Sequence, residues 1–176
     1  MATPSTRRWS YSEFARLPND GNRYEVIAGE LCVTPAPTTP HQRIIGNLYY
    51  LLRGFVDEHD LGSVWLSPVD VLLAEGDYLE PDLVFVRRER EGIISERGIE
   101  ATPDLVIEVL SESTAERDRG LKRERYAYFG VPQYWIVDPG SRTVLVYQLS
   151  VDPHTPRQVH EVLEAQLVPG SPVLSL

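Results

Sequence analysis

A glutamate stands in the middle of an apolar run, Leu105-Val106-Ile107-Glu108-Val109-Leu110. The run reads as a β-strand, in which side chains alternate between faces. Asp104, Val106, Glu108 and Leu110 then share one face, and Leu105, Ile107 and Val109 the other. Both faces are apolar apart from the acids, so the strand needs cover on both sides. Any fold of this chain therefore buries a carboxylate. A bare one costs several kcal/mol unless a cation, a hydrogen-bonded partner or a metal compensates it.

The sequence offers such compensators. A second apolar strand, Leu83 to Val86, is preceded by an acid, Asp82. On the helix expected after Glu108, the residues Ala115, Asp118, Lys122, Tyr126 and Phe129 form one stripe at helical spacing. Tyr126 and Phe129 belong to a core-facing stripe, so Lys122 points inward too, a position that a lysine tolerates beside an anion. A strand end, a loop and two helical turns separate Glu108 from Lys122, short enough for the two to meet. Two acids and a lysine converging at a sheet edge are the parts that hold a divalent metal and polarise a phosphodiester. The same residues also fit a buried ion pair without metal.

Other polar residues have two readings. Glu25 either faces solvent from an edge strand or joins the site. His41, next to Pro40, either starts a helix or approaches the site. Asp118 lies four residues before Lys122 and is read as a local ion-pair partner. Asp104 after Pro103 is read as a turn residue, and Tyr126 and Trp135 as core. The basic residues Arg117, Arg119, Arg123 and Arg125 alternate with Glu116, Asp118 and Glu124, the pattern of a solvated helix face laced with ion pairs.

At 176 residues, 42% of them hydrophobic and 24% charged, the chain fits one globular domain. We expect residues 1–9 to form a flexible tail and 10–176 a single domain. The one cysteine, Cys32, precludes an intrachain disulfide and fits a reducing, cytoplasmic setting. No apolar run approaches the ~20 residues of a membrane helix, and no apolar segment follows Arg7 and Arg8 as a secretory signal requires. A formal charge of -9 argues against broad, non-specific coating of nucleic acid, though not against a local basic groove. One cysteine and four scattered histidines give no zinc pattern.

Along the chain, Ser10 to Glu13 offers a capping box opening a short helix through Leu17. Tyr24 to Ala28 and Leu31 to Val33 form a hairpin around Gly29. His41 to about Asp60 is a long helix with Ile44, Ile45, Leu48, Leu51, Leu52 and Phe55 on its buried face. Short strands follow at 64–66 and 69–73, then Leu83 to Val86, a charged loop over 87–91, and the Glu108 strand. A second capping box, Ser113 to Glu116, starts a helix reaching about Phe129, stopped by Gly130 and Pro132. Strands at 133–137, 144–149 and near 159–163 complete a mixed α/β domain, with helices flanking one central sheet.

Four segments carry a resemblance: Pro81-Asp82-Leu83-Val84-Phe85-Val86; Pro103-Asp104-Leu105-Val106-Ile107-Glu108-Val109-Leu110-Ser111; Asp118 through Lys122 to Tyr126; and Gly130-Val131-Pro132-Gln133-Tyr134-Trp135-Ile136-Val137-Asp138-Pro139. Together with Tyr24-Glu25-Val26, Gly29-Glu30-Leu31 and His41, this ordered series resembles the Uma family of restriction-endonuclease-like proteins, over about Ser10 to Leu149. The resemblance implies a restriction-endonuclease-like fold of the PD-(D/E)xK nuclease superfamily: a central mixed sheet flanked by helices, with an N-terminal helix and hairpin. It implies that Asp82 and Glu108 bind a divalent metal, Mg2+ or Mn2+, and that a lysine activates water or steadies the transition state. Leu110 stands where the superfamily lysine normally sits. Lys122, on the next helix, matches the displaced lysine of this family, and Glu25 matches its additional N-terminal acid.

The implied function is a metal-dependent nuclease hydrolysing phosphodiester bonds, with DNA as its partner and a cytoplasmic, homodimeric form. The alternative is a non-catalytic binding or assembly module that retains a nuclease-like fold. A third reading makes the acid–lysine pair a purely structural device that fixes register.

Overall fold

The alternation along the Glu108 strand divides the interior into two cores. Leu105, Ile107 and Val109 pack with Ile45, Leu52, Phe85 and Trp135 on one side. Val106 and Leu110 pack with Tyr126, Tyr134 and Ile136 on the other. All five residues of the strand β9, Leu105–Val109, are buried, as a strand covered on both faces must be. These relationships come from a computed structural model that describes residues 8–176. Residues 1–7 of the expected tail lie outside the described residues, and Trp9 already packs against Phe14, Val26 and Tyr78.

β9 is central to a six-stranded sheet. Its neighbours are β10 (Gln133–Asp138), parallel to it, and β6 (Leu83–Arg87), antiparallel. Outside these lie β11 (Thr143–Gln148) and β12 (Arg157–Val159) on one flank and β3 (Gly62–Leu66) on the other. The long helix α2, Thr39–Glu58, covers one face through Ile45, Leu52 and Val56. Its N-cap is Thr38, whose hydroxyl accepts the His41 amide. Leu51, expected on the buried face, is half exposed, because the stripe facing the sheet is narrower than the run of apolar residues.

The expected N-terminal hairpin forms from β1 (Arg23–Ile27) and β2 (Glu30–Thr34). It opens a second six-stranded sheet, ordered β2-β1-β5-β4-β8-β7, whose further strands are β4 (Val71–Ala74), β5 (Asp77–Leu79), β7 (Ile94–Ser95) and β8 (Gly98–Ile99). Pairing with β5 makes β1 an interior strand, so Glu25 is not on an edge. Helix α1, Tyr11–Phe14, carries the expected capping box and ends before Leu17. The charged segment after β6 is a 3-10 helix, Arg88–Ile93, rather than a plain loop.

The helix expected over 113–129 is divided into three. A short α3, Ala115–Arg117, leads into a π-turn, Asp118–Lys122, and then into α4, Arg123–Tyr128. The second capping box does not form: the N-cap is Thr114, and its side chain makes no capping bond. Gly130, with φ of 78°, ends α4 where a left-handed residue is needed. The strand expected near 159–163 stops at Val159, because Leu163 turns into the core and exchanges both backbone hydrogen bonds with Leu176. A short pair, β13 (Glu164–Ala165) and β14 (Leu174–Ser175), closes that end. Among the described residues no helix is long and apolar enough to cross a membrane.

Candidate active site

The pairing of β6 with β9 places the two strand acids. Leu83 lies opposite Ile107 and Val84 opposite Val106. Continuing that register one step sets Asp82 opposite Glu108, on one face of the sheet, as neighbours across the ladder. Asp82 then uses the ladder itself: its Oδ2 accepts the Val109 amide at 2.8 Å. Asp82, Glu108, Lys122 and Glu25 all line one cavity of about 110 Å³ between the two sheets, with Arg23, His41 and Asp118.

Glu108 is 2% exposed, and its Oε1 takes two donors, Lys122 Nζ at 2.8 Å and the Tyr126 hydroxyl at 3.3 Å. The same ammonium lies 2.7 Å from Glu25 Oε1 and 3.7 Å from Asp118 Oδ1. Glu25 Oε1 also accepts the Glu80 amide at 2.9 Å, tying β1 to the segment that leads into Asp82. The π-turn delivers Asp118 and Lys122 together: its wider path faces both ends of the turn toward the cavity, a feature that recurs at functional sites. Asp118 Oδ1 is buried and has no hydrogen-bond partner.

Asp82 is held from the other side. Arg23 donates to its Oδ1 at 2.9 Å and to Glu80 Oε1 at 2.8 Å, and its second terminal nitrogen reaches the Glu80 carbonyl. His41 Nε2 lies 2.8 Å from the Val109 carbonyl and 3.4 Å from Asp82 Oδ2, and its Nδ1 is buried without a partner. Thus β1 sends two side chains two residues apart, Arg23 and Glu25, to opposite parts of one network.

Burial and charge act against each other throughout. Burial would depress the Lys122 ammonium, but Glu108, Glu25 and Asp118 together raise it, so it stays charged. Burial pushes Glu108 well above the usual carboxylate range against the pull of Lys122, and Asp118 also rises through burial. These directions agree: three carboxylates share one ammonium, which cannot neutralise all of them. Burial would raise Asp82 as well, yet the His41 hydrogen bond, the Arg23 charge and the Val109 amide leave it lowered. Glu80 is pushed up to about 7 by burial despite Arg23. The hydrogen bond to Asp82 raises His41.

Carboxylate oxygens are the donors that a hard divalent cation selects. Both hydrogen bonds of Glu108 fall on Oε1, and Asp118 Oδ1 is unpartnered beside the same cavity. In donor chemistry the residues fit such an ion. As they stand, no three His, Cys, Asp or Glu side chains among the described residues are arranged to enclose one. The ammonium of Lys122 sits between the acids, within 2.8 Å of both Glu25 and Glu108.

The sequence reading singled out Asp82, Glu108, Lys122 and Glu25, and the structure brings all four to the cavity. It brings His41 there too. Asp118 makes the ion pair expected of it, and it is also a buried member of the site, only 1% exposed. Arg23 and Glu80 were missed. The signal for Arg23 was its place two residues before Glu25, on the same face of the same strand. Asp104 is structural: it accepts the Arg87 amide and the Arg90 guanidinium. The arginines along residues 115–128 are mostly engaged: Arg119 with Asp138, Arg125 with Asp77, and Arg117 with Thr34.

No curated protein matches the chain by sequence. Among solved structures it is similar to one described as "a putative nuclease belonging to DUF820" from Anabaena variabilis, with a TM-score of 0.74, 20% identity, and 90% of this chain and 89% of that chain covered. At that identity the likeness bears on the fold alone. The sequence itself matches the Uma2 model, described as "Putative restriction endonuclease", over residues 11–176, a span that contains every residue of the cavity. With the matched span covering nearly all of the described residues, the chain belongs to the Uma2 family.

Proposed function

We propose that this chain is a metal-dependent endonuclease that hydrolyses phosphodiester bonds in DNA. One observation supports the reading above the others: the cavity is lined by four acids, Glu25, Asp82, Glu108 and Asp118, against two permanent cations, Arg23 and Lys122. Buried negative charge in excess of its partners is costly, and a divalent cation offsets it. Asp82 and Glu108 would hold magnesium or manganese. When bound, such an ion polarises the phosphate and lowers the pKa of a water.

The chain's own residues do the rest. Arg23, His41 and the Val109 amide fix the Asp82 carboxylate in one orientation. Lys122 stays charged because acids surround it, so it serves as a cation for the scissile phosphate or as a donor that orients the attacking water. Glu25 joins β1 to Lys122 and to the backbone before Asp82. Cutting both strands of a duplex asks for two such sites, which a homodimer supplies, and we place the activity in the cytoplasm.

The test is cleavage of plasmid and oligonucleotide DNA with magnesium or manganese. Cleavage is expected in the wild type and lost in Glu108→Gln and Lys122→Ala, with circular dichroism unchanged. No cleavage across many substrates supports the second reading, a non-catalytic module. That reading draws on the way both Asp82 oxygens are already engaged by protein donors.

A further inference from the structure

A cation held by Glu108 cannot share close quarters with the Lys122 ammonium. The ammonium is 2.8 Å from Glu108 Oε1 and 2.7 Å from Glu25 Oε1, so an ion entering at Glu108 would stand close to it, and like charges close together repel strongly in a buried site. The lysine must withdraw, and a buried ammonium without an anion is expensive. Besides Glu25, which already holds the ammonium, one further acceptor is within reach. Asp118 Oδ1 lies 3.7 Å from the same nitrogen, buried and without a hydrogen-bond partner. A displacement of roughly 1 Å would bring the two to charge-assisted hydrogen-bond distance.

We propose that Asp118 is the second seat of the Lys122 ammonium: entry of a divalent cation at Glu108 drives the ammonium from Glu108 onto Asp118 Oδ1. The inference rests on the metal-dependent reading above. It explains two observations together. The donor types fit a hard cation, yet among the described residues no three of them enclose one, and the lysine stands between two of the acids. And a carboxylate oxygen with no hydrogen bond is retained in the interior, one helical step from the lysine that needs it. The π-turn supplies the geometry, with Asp118 at its first residue and Lys122 at its last. Both side chains line the same cavity, so the transfer would keep the ammonium at the site. Asp118 is thereby a positioning residue, acting through Lys122.

A double-mutant cycle on the full chain tests this, with manganese binding read by calorimetry in the wild type, Asp118→Asn, Lys122→Met and the double variant. Asp118→Asn should weaken manganese binding about tenfold, a coupling usual for contacting charges. In the Lys122→Met background the same change should have no effect, since no ammonium remains to be received. Equal weakening in both backgrounds makes Asp118 a direct ligand and overturns the proposal. So does a fall in melting temperature with unaltered binding. Should Lys122→Met fail to fold, the Lys122 ammonium resonance of the wild type is followed during magnesium titration. It should shift, and Asp118→Asn should remove the shift; an unmoved resonance overturns the proposal. Absence of manganese and magnesium binding in the wild type removes the metal-dependent reading itself, whereas binding with additive effects removes this inference alone.

Discussion

The Glu25 carboxylate reaches from the N-terminal hairpin to within 2.7 Å of the Lys122 ammonium on the π-turn. Two segments far apart in sequence are thus locked by a buried ion pair, at the point where the two large sheets face each other. Glu25 keeps a second bond to the Glu80 amide, so the lock extends to the strand that begins after Asp82.

Removing the cation of this lock is expected to be costly. Lys122→Ala leaves Glu25, Glu108 and Asp118 without their shared partner, and breaking a buried pair from one side costs about 3–5 kcal/mol. Urea unfolding should show a lower midpoint of that order. A loss below about 1 kcal/mol, the usual worth of an exposed pair, would mean that the cluster is hydrated and the pairing weak.

Arg23 should resist conservative replacement. Its guanidinium spans Glu80 and Asp82, a forked geometry that an ammonium cannot reproduce. Arg23→Lys is expected to keep the charge but to lower cleavage together with manganese affinity, by loosening Asp82. Equal affinity in Arg23→Lys and wild type would show that a positive charge alone suffices there.

Asp70 predicts a pH dependence. Burial raises its carboxyl from an ordinary 3.8 to about 6. A raised folded-state value means that the folded chain holds the proton more tightly, so the contribution is fully present below pH 3.8 and is lost as pH rises through about 6. Asp70→Asn removes the titration. The variant should gain stability relative to wild type as pH rises from 4 to 7, with the gain levelling above that. A difference that is flat across this window would remove the assignment.

Gly62 is fixed by the backbone. Its φ is 145°, and a Cβ there would run into the Val86 carbonyl on the paired strand β6. Gly62→Ala is expected to cost at least about 1–3 kcal/mol through the strained conformation alone, measured by thermal unfolding. Gly54, on α2 with open space around it, provides the control: Gly54→Ala should stabilise the helix by up to about 1 kcal/mol.

Much of the fold was legible where local pattern and tertiary demand coincide. The apolar run around Glu108 reads as a doubly covered strand because both its faces meet cores. The Thr39–Glu58 helix and the hairpin carry their periodicity and turn residues in the chain itself. The 113–129 segment was less legible. Its spacing resembles one helix, and the π-turn inside it answers to the packing of Lys122 and Asp118, which local propensity does not record. The strand near 159–163 failed for a similar reason, because Leu163 is claimed by a pairing with Leu176.

The sequence by itself determined that a carboxylate is buried at Glu108, that an acid, Asp82, precedes another apolar strand, and that Lys122 lies on an inward-facing stripe, since alternation and helical spacing are properties of the chain alone. Only the tertiary structure decided that Arg23 and His41 join them, and settled that Glu25 faces the site rather than solvent. These residues come from elements distant in sequence, and their roles depend on which strands pair and how two sheets face. Register across β6 and β9 and the pairing of β1 with β5 are set by the burial of the whole interior, so no local pattern announces them.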